Sequence, residues 1–135
     1  MVKKYLLDTN ICAFYIRGQF NLNTKIREAG GLEFCAISEI TLAELRYGAE
    51  LSKYKEENAK KINTLIEFVS VLPINRAIPL FAKEKARLKS INKIIDNFDL
   101  LIGTTAVVNN LVMVSDNVKH LSRIENIKLE NWVQR

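Results

Sequence analysis

Tyr5-Leu6-Leu7-Asp8-Thr9-Asn10 is the stretch on which the fold turns. Three residues suited to a buried strand run into a carboxylate, then into Thr and Asn. An apolar run that ends in Asp, Thr and Asn marks a strand giving way to a helix, because these side chains cap free backbone N–H groups. The pattern returns late in the chain, where Leu111-Val112-Met113-Val114-Ser115 closes on Asp116-Asn117. Between and beyond these two runs, Glu33 to Ile37, Val71 to Ile74 and Ile127 to Leu129 read as further short strands. Helices are predicted over 10–17, stopped by Gly18, over 21–29, stopped by Gly30-Gly31, and over 39–52 behind the cap Ser38. Further helices are predicted over 55–70, 78–90 and 99–110, with a helical turn over 118–123. Lys83, Lys85, Arg87 and Lys89 make the 78–90 helix basic, and Trp132 closes the chain.

Short apolar strands alternate with helices. That pattern argues an α/β fold with a parallel sheet covered on both faces by helices. In such sheets ligands bind at the carboxyl ends of the strands, near the point where strand order reverses. Asp8 and Asp116 both sit at strand carboxyl ends.

A chain of 135 residues, 48% of them hydrophobic, is expected to form one domain over 1–135 with a real core. No apolar run reaches the roughly 18 residues that a membrane span needs, and no signal-peptide pattern opens the chain, so a cytosolic protein is expected. Cys12 and Cys35 are isolated from each other and from His120, which suits buried free thiols and argues against zinc. The net charge is +5, from 20 basic and 15 acidic residues. A basic surface favours a polyanionic partner.

Against that background four acids stand out. Asp8 ends a strand. Glu44 lies on a helix at spacings of three and four from Ile40, Ala43, Tyr47 and Leu51, an apolar face where Glu is seldom buried unless paired. Asp99 opens the most apolar helix, and Asp96 competes with it for the cap. The small residues Gly103 and Ala106 would let that helix pack close to the sheet and bring Asp99 near Asp8. Asp116 ends a strand, beside Asn117. Each acid also has a plain structural explanation, as a cap, a turn residue or a partner of Arg46. Gathered at one sheet end, two or three carboxylates with water suit Mg²⁺ or Mn²⁺. A cation there would generate the nucleophile for phosphodiester hydrolysis without a His pair.

Four pieces in register resemble the PIN-domain ribonucleases, and within them the VapC-type toxins of toxin–antitoxin pairs. They are Leu6-Leu7-Asp8-Thr9-Asn10, the run from Ile37-Ser38-Glu39 through Glu44-Leu45-Arg46-Tyr47-Gly48-Ala49, Phe98-Asp99-Leu100-Leu101-Ile102, and Val114-Ser115-Asp116-Asn117 with Leu129-Glu130-Asn131-Trp132. The resemblance implies a three-layer α/β/α sandwich on a central, mostly parallel sheet. It implies Mg²⁺ or Mn²⁺ held chiefly by Asp8 and Asp99, with Glu44 completing the acidic site. It places the fourth acid two residues beyond a strand-ending Ser or Thr. Here that position is Asn117, so either Asp116 reaches the cation or Asn117 holds a water. Thr9 and Asn10 are expected to orient Asp8 or a metal-bound water, and Ser38 to stand behind Glu44.

The expected activity is endoribonucleolytic cleavage of structured RNA such as tRNA, by a homodimer silenced by a VapB-like antitoxin. The helices around residues 45–70 are expected to carry the dimer and antitoxin contacts. Two other readings stay open. A phosphotransfer domain would want adjacent acids after the first strand, where this chain has Asp8-Thr9-Asn10. A non-catalytic RNA-binding PIN-like protein would not need Asp8, Glu44 and Asp99 together.

Overall fold

The computed structural model describes residues 2–135. Five strands are found among them: β1 (Tyr5–Leu7), β2 (Cys35–Ser38), β3 (Ser70–Leu72), β4 (Val112–Val114) and β5 (Lys128–Glu130). The α-helices are α1 (Thr9–Ile16), α2 (Leu22–Glu28), α3 (Glu39–Leu51), α4 (Lys55–Phe68), α5 (Ile78–Ser90), α6 (Asn97–Val108) and α7 (Val118–Leu121). The strands form one sheet in the order β3-β2-β1-β4-β5. All four pairings are parallel, with Tyr5 beside Cys35 on one flank of β1 and beside Val112 on the other.

Side chains alternate across this sheet, and both faces are covered. Leu7, Cys35, Ile37 and Val114 point into one core, built against α1 to α4 and the tail residues Trp132 and Val133. Leu6, Ala36 and Met113 point into the other, built against α5, α6 and the region after it. The result is a three-layer α/β/α sandwich with the parallel sheet in the middle. Strands buried on both faces need apolar residues at every position, and this explains why they read as unbroken apolar runs.

The main departures from the sequence expectations have local causes. A 3₁₀ turn over Leu32–Phe34 takes the start of the expected second strand. Helix α6 begins before Asp99, because the Asp96 carboxylate accepts from the backbone N–H of Phe98 and of Asp99. Asp99 is thus spared from capping. Gly103 makes its close approach to the Ile124 side chain, beyond α7, and not to the sheet. A Cβ at position 103 would press on Ile124 Cδ1.

The basic helix α5 is also less uniform than its sequence suggests. Glu84, 2% exposed, receives both Nε and Nη2 of Arg87, at 2.7 and 2.9 Å. The backbone N–H of Glu125 donates to the same carboxylate at 2.7 Å, and Arg87 Nη2 also reaches the Arg123 carbonyl at 2.7 Å. Arg87 therefore ties α5 to the segment after α7 and is committed within the fold. Its hydrogen bonds hold the Glu84 carboxyl below the usual carboxylate range.

Glu84→Ala leaves the Glu125 amide and part of Arg87 without an acceptor, and should lower the melting temperature by about 5 °C or more. Because the folded value of Glu84 is depressed, its contribution is present above the unfolded value and lost as pH falls through the folded one. The gap between wild type and variant, followed by thermal melts, should narrow in acid. A gap independent of pH would contradict this account.

Candidate active site

Strand order reverses between β1 and β4, and the acids gather at the carboxyl end of that pair. Asp8 continues β1 by one residue, its backbone N–H donating to Val114 O at 2.9 Å. It caps α1 at the same time, with Oδ1 accepting from the Thr9 backbone N–H at 2.8 Å. Its other oxygen, Oδ2, accepts from Ser115 Oγ at 2.7 Å. One end-of-strand serine thus fixes the plane of a carboxylate that is only 5% exposed.

Glu44 arrives from α3. The buried face of this helix is Thr41, Leu45 and Ala49. The apolar face that the sequence assigned to Glu44 is in fact the outer one, since Ala43, Tyr47 and Leu51 are exposed. Glu44 lies half-buried at the border between the two, where Thr9 Oγ1 donates to its Oε1 at 2.7 Å. Thr41 Oγ1 lies 3.1 Å from the same hydroxyl. Arg46, the alternative partner, turns instead to Asn63 Oδ1 at 2.7 Å. Ser38 caps α3 through the Ile40 backbone N–H at 3.0 Å, and Asn10 is exposed.

Asp99 comes from the first turn of α6 and is half-buried. Its contact with the rest of the site is a long hydrogen bond, 3.4 Å, from Asn117 Nδ2. Asn117 itself is held at both ends. Its backbone N–H donates to Ser115 Oγ at 2.9 Å, and its Oδ1 lies 2.8 Å from His120 Nδ1. Since the Asn117 NH₂ faces Asp99, the oxygen faces His120, whose Nδ1 must carry the hydrogen. Asp116 points elsewhere, pairing with Arg135 Nη2 at 3.0 Å.

The sequence reading named the acids with Thr9 and Asn117 beside them, but not Ser115 or Thr41 as links between them. Ser115 was read as the end of a strand, and its bond to Asp8 spans 107 positions. Thr41 and Arg135 gave no signal beyond their type. A small one existed for His120, which stands three residues after Asn117 in a predicted helical turn.

The electrostatics of the group are unfavourable. Burial pushes the Asp8 carboxyl above its ordinary value, the Ser115 and Thr9 hydrogen bonds oppose the shift, and Glu44 and Asp116 add to it. Asp99 is pushed up to about 6, by burial first and then by Asp8, Asp96 and Glu44. Neither is in an ion pair among the described residues. No three Asp, Glu, His or Cys side chains among those residues close into a metal cage by themselves. The donors present at the site are carboxylate oxygens, which suit a hard divalent cation that keeps several waters. They do not fit zinc. Cys12 and Cys35 are buried free thiols, and burial raises both, Cys35 to about 11.

The PIN domain family model matches residues 5–126 of the chain. Ribonuclease VapC2 of Rickettsia felis is 35% identical over 132 residues, covering 95% of this chain and 97% of that protein. The tRNA(fMet)-specific endonuclease VapC of Salmonella typhimurium is 34% identical over 137 residues, covering 96% and 98%. Among solved structures, VapBC2 from Rickettsia felis bound to a DNA fragment from its promoter superposes with a TM-score of 0.86. That match has 33% identity and covers 98% of this chain and 99% of the other.

The displaced Asp99 carboxyl gives a stability test. Its folded value is raised, so its contribution is complete below the unfolded value of 3.8 and is lost as pH rises through about 6. In EDTA-treated protein, Asp99→Asn should raise the melting temperature at pH 7.5, with the gain vanishing near pH 4. Excess Mg²⁺ should raise the wild-type melting temperature and leave the variant nearly unmoved. A variant that melts lower than wild type at pH 7.5 without metal would show that Asp99 is not under repulsion.

Proposed function

The chain belongs to the PIN-domain family and, within it, to the VapC-type ribonuclease toxins, and on that premise we propose that it is a metal-dependent endoribonuclease cutting structured RNA such as tRNA. The observation that carries this reading is the Asp8–Asp99 pair. Two carboxylates stand near enough for one to raise the other, partly out of water and in no ion pair among the described residues, at the strand switch point. Such an arrangement is costly unless a divalent cation balances it. That two relatives are named tRNA(fMet)-specific endonucleases supports tRNA as the substrate class.

In this reading Asp8 and Asp99 would hold Mg²⁺ or Mn²⁺. The ion would supply a hydroxide nucleophile near neutral pH and neutralise charge on the phosphate. Ser115 and the Thr9 amide keep the Asp8 carboxylate in one orientation. Thr9 holds Glu44 at the border of the site, where it would bind a second cation or take the proton of the attacking water. Asn117 keeps Asp99 turned inward. Asp116, engaged with Arg135, stands at the rim. Attack by water on phosphorus with departure of the 3′ oxygen leaves a 5′-phosphate and a 3′-hydroxyl, and does not use the 2′-hydroxyl.

The same reading makes the chain the toxin of a type II pair, working in the cytoplasm as a homodimer and silenced by a VapB-like antitoxin. Solved relatives that are complexes of VapB and VapC support the partner class. Tyr47, Leu51 and Tyr54, exposed around the α3–α4 junction, supply apolar surface for protein contacts. No helix among the described residues is long and apolar enough to cross a membrane.

Asp8→Asn should abolish cleavage while preserving the fold, since it removes one charge from a repelling group and keeps the shape. The check is sequencing of RNA 5′ ends after induction of wild type and Asp8→Asn in parallel, with end chemistry read by ligation. Normal cutting by Asp8→Asn, or 2′,3′-cyclic phosphate ends, would overturn the assignment.

A further inference from the structure

The mouth of the acidic site presents a problem for its substrate. Asp8, Glu44, Asp96, Asp99 and Asp116 all lie toward the carboxyl end of the sheet, and RNA arrives with a negative charge at every nucleotide. A cationic group is needed at the rim, and the end of the chain delivers one. The Glu130 carbonyl, at the end of β5, accepts from the Ser115 backbone N–H at 3.0 Å, so the chain leaves the sheet beside β4. Trp132 and Val133 are then buried in the core on that side. The Trp132 ring meets Tyr5 edge-on, with centroids 5.0 Å apart, and its Nε1 donates to Glu130 Oε1 at 2.9 Å. With the backbone fixed there, Arg135 is placed at the rim two residues later.

Its guanidinium is held on two sides. Nη2 lies 3.0 Å from Asp116 Oδ2, and the guanidinium carbon stands 5.1 Å from the centre of the Phe20 ring. Phe20 takes a backbone φ of 57°, a conformation that a bulky aromatic rarely adopts, and rests edge-on against Phe14 at 4.8 Å. The pair is asymmetric. The Asp116 side chain is 16% exposed, whereas that of Arg135 is 66% exposed. A guanidinium has five N–H donors in a planar fork, and the fork matches a phosphate. Asp116 engages one edge and Phe20 one face, which leaves the outer donors at the surface in a fixed orientation.

We propose that Arg135 is a phosphate-binding residue that seats the RNA backbone at the mouth of the site, with Asp116 and Phe20 as its holders. This rests on the endoribonuclease reading. It also gives Asp116 a task other than coordinating the cation, namely aiming Arg135.

The test uses the full chain carrying Asp8→Asn, so that RNA is bound but not cut, with labelled bulk tRNA as probe and KCl varied. Arg135→Gln should weaken binding several-fold at low salt and reduce the slope of log affinity against log salt by about one. Arg135→Lys should keep the slope, because it keeps the charge. Phe20→Leu should weaken binding with the slope intact, because only the platform is lost. Far-UV circular dichroism and melting checks secure the fold of each variant. An unchanged slope in Arg135→Gln overturns the proposal, as does a slope lost equally in Arg135→Lys. Cleavage by the chain without Asp8→Asn is scored separately. A lost slope with no cleavage would remove the ribonuclease reading alone and leave the phosphate contact standing.

Discussion

The structure is organised around one cost, that of keeping carboxylates close together and partly out of water. Asp8, Glu44 and Asp99 are held by neutral donors and not by the chain's own cations. Ser115 and a backbone amide hold Asp8, Thr9 holds Glu44, and Asn117 touches Asp99. Neutral donors fix orientation while leaving most of the negative charge uncancelled. The chain does place arginines against acids elsewhere, at Glu84 and at Asp116. At Glu84 the result is a structural tie, and the carboxyl there is shifted the opposite way from Asp8 and Asp99. The same residue types thus serve two ends, and the neighbours decide which.

Much of this was legible in the sequence, because the fold's logic is local at the strand ends. Apolar runs closed by Asp8 and by Ser115-Asp116 gave the strands, the alternation with helices gave the parallel sheet, and Asp96 was visible as a competing cap for Asp99. What stayed hidden depended on pairing and helical phase. Glu44 stands at helical spacing from Ile40, Ala43, Tyr47 and Leu51, and the spacing alone could not say which side of α3 faces the core. The side read as apolar around Glu44 proved to be the outer one, with Ala43, Tyr47 and Leu51 exposed. Arg87 read only as one of four basic residues on its helix, since nothing local shows that Glu84, three residues earlier, is buried. The Asp116 partner lies 19 positions away, at the end of a tail whose path only the burial of Trp132 and Val133 determines.

Positional economy accounts for the density of function at β1 and α1. Asp8 ends a strand, caps a helix and contributes to the acidic group, and Thr9 serves as first helical residue and as the donor that steadies Glu44. Cys12, one turn along, donates its backbone N–H to the Asp8 carbonyl and is fully buried behind it. A buried thiol whose ionisation is suppressed by its surroundings is an inert filler at a position where a reactive group would be a liability.

The strand order also bears on how the chain comes to be made. Strand β1 emerges first, but its central pairing partner β4 follows only after more than a hundred residues, and the tail that carries Arg135 comes last. Parallel pairing at such separation forms late, because the intervening loop must close before the contact rewards it. A partly made chain that stops short of residue 115 has Asp8 and Glu44 without Ser115, Asn117 or the tail. The acidic group therefore takes its final shape only once β4 has joined β1, since Asp8 waits for Ser115 across 107 positions.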